Sequence, residues 1–131
     1  MSAKHRDQYD PYGPLVRALF DKTEHAGEIA GGATASAAGL DVRVQLFARL
    51  DGTTVRRLRF RAWGCPHLIA AAEYFCKNHE GLALSDLQAF DVSEIIEKLP
   101  VPVEKTGRIL VLEDAVRALL GAVKGGKQGR R

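Results

Sequence analysis

The chain has 131 residues, 46% hydrophobic and 27% charged, the size and make-up of one globular domain able to bury a core. No apolar run approaches the roughly 18 residues of a membrane-spanning helix, and Met1-Ser2-Ala3-Lys4-His5-Arg6-Asp7 lacks a signal peptide's apolar stretch, so a cytoplasmic protein with no membrane partner is expected. Two cysteines, Cys65 and Cys76, make no disulfide framework, and a net charge of +3 only weakly favours an anionic partner.

Residues 1–12 read as a polar N-terminal arm before a domain over 13–123. Pro14 suits a first helical turn, and Leu15, Val16, Leu19 and Phe20 follow as an apolar stripe, so a helix is predicted over 14–22. The stretch 25–39, rich in Gly, Ala and Ser and without a period, reads as a long flexible loop. From Asp41 the period becomes two. Val42, Val44, Leu46, Ala48 and Leu50 share one strand face, and Arg43, Gln45, Phe47 and Arg49 the other. After the Asp51-Gly52 turn, Leu58, Phe60 and Ala62 alternate with Arg57, Arg59, Arg61 and Trp63. This is an antiparallel hairpin whose apolar face helices must cover.

Gly64-Cys65-Pro66 ends the second strand, and Pro66 opens a helix with Leu68, Ile69, Ala72, Phe75 and Cys76 on one face and Gly81 as terminator. Short helices are expected near Ser85, a fair cap, and from Ser93. Leu99-Pro-Val-Pro-Val103 must be extended. A final helix carries Ile109, Leu112, Val116, Leu119 and Val123 and is stopped by Gly125-Gly126, leaving 124–131 as a disordered basic tail. With no βαβ alternation, the fold class is α+β: an antiparallel sheet covered on one face by helices.

Cys65 is the main candidate for chemistry. It sits where a strand meets a helix, and a helix N-terminus stabilises anionic sulfur, the metal-binding and nucleophilic form; the bland alternative is a small buried residue at a turn. Cys76 lies on the same helical face but roughly 16 Å further on, so one metal cannot use both, and its apolar neighbours favour a core role. His67 could add an imidazole to the Cys65 sulfur, but a tetrahedral metal needs a third and fourth ligand, for which His25 is the one candidate; His5 and His79 read as surface residues. The arginine-rich hairpin face with Phe47 and Trp63 could contact nucleic acid, although a solvated face is favoured over that reading. No catalytic set or nucleotide motif is present, so no enzyme activity is expected.

Taken together, Phe60-Arg-Ala-Trp-Gly-Cys-Pro-His-Leu-Ile-Ala-Ala-Ala72 and Leu112-Glu-Asp-Ala-Val116 resemble the iron–sulfur cluster assembly scaffold family (IscU / NifU N-terminal domain) over roughly residues 15–123. The first is similar to its aromatic-x-x-aromatic-Gly-Cys step, the second to its Glu-Asp-Ala step in the last helix. The resemblance implies an iron or iron–sulfur cluster as cargo, held by three cysteines, an aspartate and often a histidine. Cys65 matches the second cysteine. The first cysteine's Cys-Gly-Asp step is Ala38-Gly39-Leu40 here, removing thiolate and acid together, and the last His-Cys pair falls at Gly107 and Arg108. Leu99-Pro-Val-Pro-Val-Glu-Lys105 stands where family members carry a chaperone-read Leu-Pro-Pro-Val-Lys step.

Four functions follow as expectations. The first is a degenerate scaffold that does not hold a cluster alone, with missing ligands supplied by a second subunit, a small thiol or His67. The second is an interaction protein that docks to a cysteine desulfurase or other assembly partner without a cluster. A thiol-active protein using Cys65 beside Arg108 is the third, and a nucleic-acid binder the last and least favoured.

Overall fold

The computed structural model describes residues 13–129, with side chains over 13–123; the expected arm over 1–12 lies outside them. Helix α1 (Gly13–Asp21) turns Val16 and Leu19 into the core. Three strands follow, β1 (Ala33–Gly39), β2 (Val42–Asp51) and β3 (Thr54–Trp63), then α2 (Pro66–His79), α3 (Leu84–Gln88), α4 (Val92–Lys98), a single 3-10 turn (Val103–Lys105) and α5 (Thr106–Gly129). The sheet is antiparallel throughout, in the order β1-β2-β3. Its inner face pairs Leu46 with Phe60 and Ala48 with Leu58, all buried. Helix α5 lies across β1 and β2, and α2 packs on β3 and α1, giving the expected α+β arrangement.

Strand β1 corrects the reading of 25–39 as loop. Ala33–Gly39 pairs residue for residue with β2, from Ala33 opposite Ala48 to Gly39 opposite Val42. Ala33, Ala35 and Ala37 pack on the core while Thr34, Ser36 and Ala38 are exposed, so the strand does alternate. Alanine against serine and threonine offers too little polarity contrast to register as a period. The small side chains have a reason: α5 comes close, and a Cβ on Gly39 would already be in ordinary contact with Val111, at 3.7 Å.

The segment 22–32 supplies a second correction. It crosses the outer face of the sheet, which the sequence reading left to solvent. Gly27 N–H donates to the Phe60 carbonyl and Phe60 N–H to the His25 carbonyl, both at 2.9 Å. Arg49 donates to the Ala30 carbonyl, Arg61 pairs with Glu28, and Ile29 and Phe47 are buried. Phe47 is therefore covered although it shares a strand face with arginines.

Helix α5 runs past Gly125-Gly126 to Gly129, so the expected stop is corrected; 130–131 lie outside the described residues. Two caps also differ from expectation. Ala83, not Ser85, precedes α3, and its N–H donates to the Asp86 carboxylate at 3.2 Å. Asp91 caps α4 by accepting from Ser93 N–H at 2.9 Å.

Candidate functional site

The turn between β1 and β2 is built by Leu40 and Asp41, with φ of +53° and +66°. Two consecutive left-handed residues are what a tight antiparallel hairpin requires, and they are costly for a leucine. The turn is held from both sides. Beneath Asp41 passes Gly64, φ +106°, so close that a Cβ there would sit 2.5 Å from the Asp41 carbonyl oxygen. From α5, Arg108 Nε donates to the Leu40 carbonyl at 3.4 Å, and a Cβ on Gly107 would lie 2.9 Å from Leu40 Cδ1. The step Ala38-Gly39-Leu40 thus runs from the end of β1 into the β1–β2 turn, rather than preceding the first strand.

Cys65 follows Gly64 directly and takes the N-cap position of α2, in extended conformation, with its carbonyl accepting from Ile69 N–H at 3.0 Å and Pro66 as first helical residue. It is 3% exposed. His67, in the same first turn, is 2% exposed. Burial first, then the Lys105 ammonium, push its pKa below the ordinary value, with Glu104 acting weakly the other way. Positions 38–41, 64–67 and 104–108 therefore meet at one end of the sheet. Arg43, opposite both Ala38 and Trp63, lies 5.2 Å from the Trp63 ring centre, and Arg61 lies 5.6 Å from it.

Among the described residues no group of three or more His, Cys, Asp and Glu side chains could hold a metal ion. His25 does not join Cys65 and His67. Its ring lies between Glu73 and Glu80, 2.7 Å and 3.1 Å from their oxygens. His79 is half-buried rather than a surface residue, stacked on Phe75 with its Nδ1–H donating to the Phe75 carbonyl at 2.9 Å. His5 lies outside the described residues. Cys76 is a core residue: burial pushes its thiol pKa well up, nearby Glu73 and Glu80 add to that, and Arg59 opposes it.

The chain matches the family model described as NifU-like N terminal domain over residues 12–128. It belongs to the NifU-like N-terminal domain family. It is 27% identical over 130 residues, 98% of each chain, to the iron–sulfur cluster assembly scaffold protein IscU of Escherichia coli (strain K12). Among solved structures it is similar to a NifU-like protein (N-terminal) from Brucella abortus, with TM-score 0.69, 15% identity, and coverage of 92% of this chain and 97% of that one. It is also similar to an iron–sulfur cluster assembly scaffold protein for the SUF system from Fervidobacterium islandicum AW-1, with TM-score 0.66, 15% identity, and coverage of 83% and 96%. The family is that of iron–sulfur cluster assembly scaffolds, and the α+β fold is theirs. No helix of this NifU-like domain, among the described residues, is long and apolar enough to cross a membrane.

The altered proline segment of the NifU-like domain is extended at Leu99 and Pro102 but not throughout: Val101 N–H donates back to the Leu99 carbonyl at 2.7 Å and Val103, 85% exposed, opens the 3-10 turn, while Leu99 is buried. The set His25, Glu73, Glu80 and Arg59 was missed by sequence reasoning. Its one signal was Glu73 itself, a charge following three alanines on the buried side of α2, where an unpaired carboxylate is too costly to keep.

Proposed function

We propose that this NifU-like domain works in cytoplasmic iron–sulfur assembly as a degenerate, non-catalytic scaffold that does not hold a 2Fe–2S cluster on a single chain. The reading rests on one juxtaposition: the end of the sheet that carries Cys65 is filled by Leu40 packed on Gly107 and by Arg108 bonded to the Leu40 carbonyl. Carried over from the family's pattern, the other ligand positions are Ala38, Leu40, Gly107 and Arg108. Methyl, isobutyl, hydrogen and guanidinium groups offer iron no lone pair, and a fixed cation repels it. Cys65 sulfur, with His67 as a weaker second donor, is too small a set for a cluster bound by four ligands. Anaerobic reconstitution with iron and sulfide tests this. The wild-type chain should emerge colourless from gel filtration, and Ala38→Cys/Leu40→Asp/Arg108→Cys should gain visible absorption. A stable wild-type chromophore that disappears in Cys65→Ser overturns the reading.

A second reading is favoured by the exposed surface at the same end. Leu40 is 63% and Trp63 42% exposed, with Arg43 over the Trp63 ring. Such a patch suits docking to a cysteine desulfurase or another assembly partner with no cluster carried. Co-purification of a desulfurase that is lost in Trp63→Ala but kept in Cys65→Ser would separate docking from carrying. Thiol chemistry at Cys65 is the less favoured alternative, because a reagent must first reach a buried side chain.

A further inference from the structure

Away from the Cys65 end, the segment 22–32 is fastened by a cluster that the proposed function does not use. His25 holds Glu73 twice: its backbone N–H donates to Oε1 at 2.9 Å, and its Nδ1 lies 2.7 Å from Oε2. Its Nε2 lies 3.1 Å from Glu80 Oε1. The other Glu80 oxygen accepts from Leu58 N–H at 2.9 Å and from Arg59 at 2.6 Å. Glu73 is 1% exposed. Cys76 from α2 and Arg59 from β3 also act on the two carboxylates, and on the segment itself Glu28 is paired with Arg61.

An imidazole between two carboxylates has a stringent donor requirement. The neutral ring carries one N–H and one lone pair, so one carboxylate would face a lone pair. Only the doubly protonated ring donates to both. The grip is applied where the segment joins the sheet: the Gly27 and Phe60 amides make their bonds to Phe60 and His25 there, with Ala26 bridged to Phe60. Ala26 and Gly27 also wall an apolar cavity of about 330 Å³ whose other sides include Phe20, Phe60, Trp63 and Ile69.

We propose that His25 is a proton-operated latch. With its ring doubly protonated, the 22–32 segment is held on β3. When that proton leaves to solvent, the segment is released, the cavity by Phe60 opens, and the lead-in to β1 is freed. The latch groups His25, Glu73, Glu80 and Arg59 include none of the positions carried over from the family's ligand pattern, so the latch holds or fails regardless of whether a cluster binds.

The test is amide hydrogen exchange of Gly27 and Phe60 in the full chain as pH is raised, corrected for base catalysis, with His25 protonation followed by its own ring proton shifts. Exchange at both amides should accelerate about tenfold or more as the ring loses its proton, the response to losing a charge-assisted hydrogen bond. His25→Ala, which has no side-chain donor for either carboxylate, should exchange fast at every pH. Glu80→Gln gives an independent arm: a side-chain amide can donate to the ring's lone pair, so neutral imidazole is satisfied and the pH dependence should vanish with the segment still closed. Protection that stays flat while His25 titrates overturns the latch. So does a ring that keeps one protonation state wherever the fold persists, or a Glu80→Gln chain with the wild-type pH dependence.

Discussion

At the residue scale the Cys65 end is controlled by what can fit around the β1–β2 turn. Gly64 combines a left-handed backbone with contact against a carbonyl oxygen, so Gly64→Ala meets both strain and collision. It should lower unfolding stability by at least about 2 kcal/mol in a denaturant titration, far more than a neutral surface change. Gly107 is a different case, because its neighbour is the flexible tip of Leu40. Gly107→His alone should destabilise, and Leu40→Asp should relieve much of that loss. A double-mutant cycle would read the two as coupled by roughly 0.5–3 kcal/mol, and additive effects would refute the contact.

At the element scale, β1 is the strand whose two faces have different duties. Ala35 packs towards the core beneath α5, while Ser36 faces out. Ala35→Phe should overpack that side and cost about 1–3 kcal/mol, whereas Ser36→Val should be neutral or slightly stabilising because a β-branched residue suits an exposed strand. Equal effects in chemical denaturation would contradict the register. Within α5, Leu112 is fully buried, and Leu112→Ala should cost about 2–5 kcal/mol. Small side chains on β1 and large ones on α5 are complementary halves of one layer: the strand gives up volume so that the helix can approach.

For the whole molecule, acid should be the weak side of the stability curve. His67 is held below its ordinary value of 6.5, chiefly by burial and then by Lys105. The unfolded chain therefore takes up this proton first, and the neutral ring's contribution is complete above pH 6.5 and is lost as pH falls from there toward the folded value. Burial alone would raise Glu80, but the Leu58 N–H and Arg59 bring it below 4.5, so a second loss of the same sign follows below that pH. Thermal midpoints should fall from neutral pH to pH 5, and His67→Gln should flatten that first decline. A wild-type midpoint that rises over the same interval would contradict the assignment.

The two alternating strands, the Asp51-Gly52 turn, the Pro66 helix start and the apolar stripe of the last helix were all legible in the chain, because each is a local pattern of period or turn chemistry. Cys65 was legible as a candidate for the same reason, by its place between a strand and a helix-opening proline. What no local pattern carried was a strand of alanine, serine and threonine, a phenylalanine covered by a distant segment, and a histidine gripped by carboxylates 48 and 55 residues away. Those depend on long-range packing: small side chains become a strand when a helix is available to lie on them, and a buried glutamate is tolerable when the fold delivers hydrogen-bond partners to it, here the backbone N–H and ring of His25. Sequence alone determined β2, β3, the helices and the place of Cys65 between a strand and a helix. Tertiary structure decided which segments, the β1–β2 turn and the start of α5, close on that end of the sheet, because their approach is a matter of long-range packing.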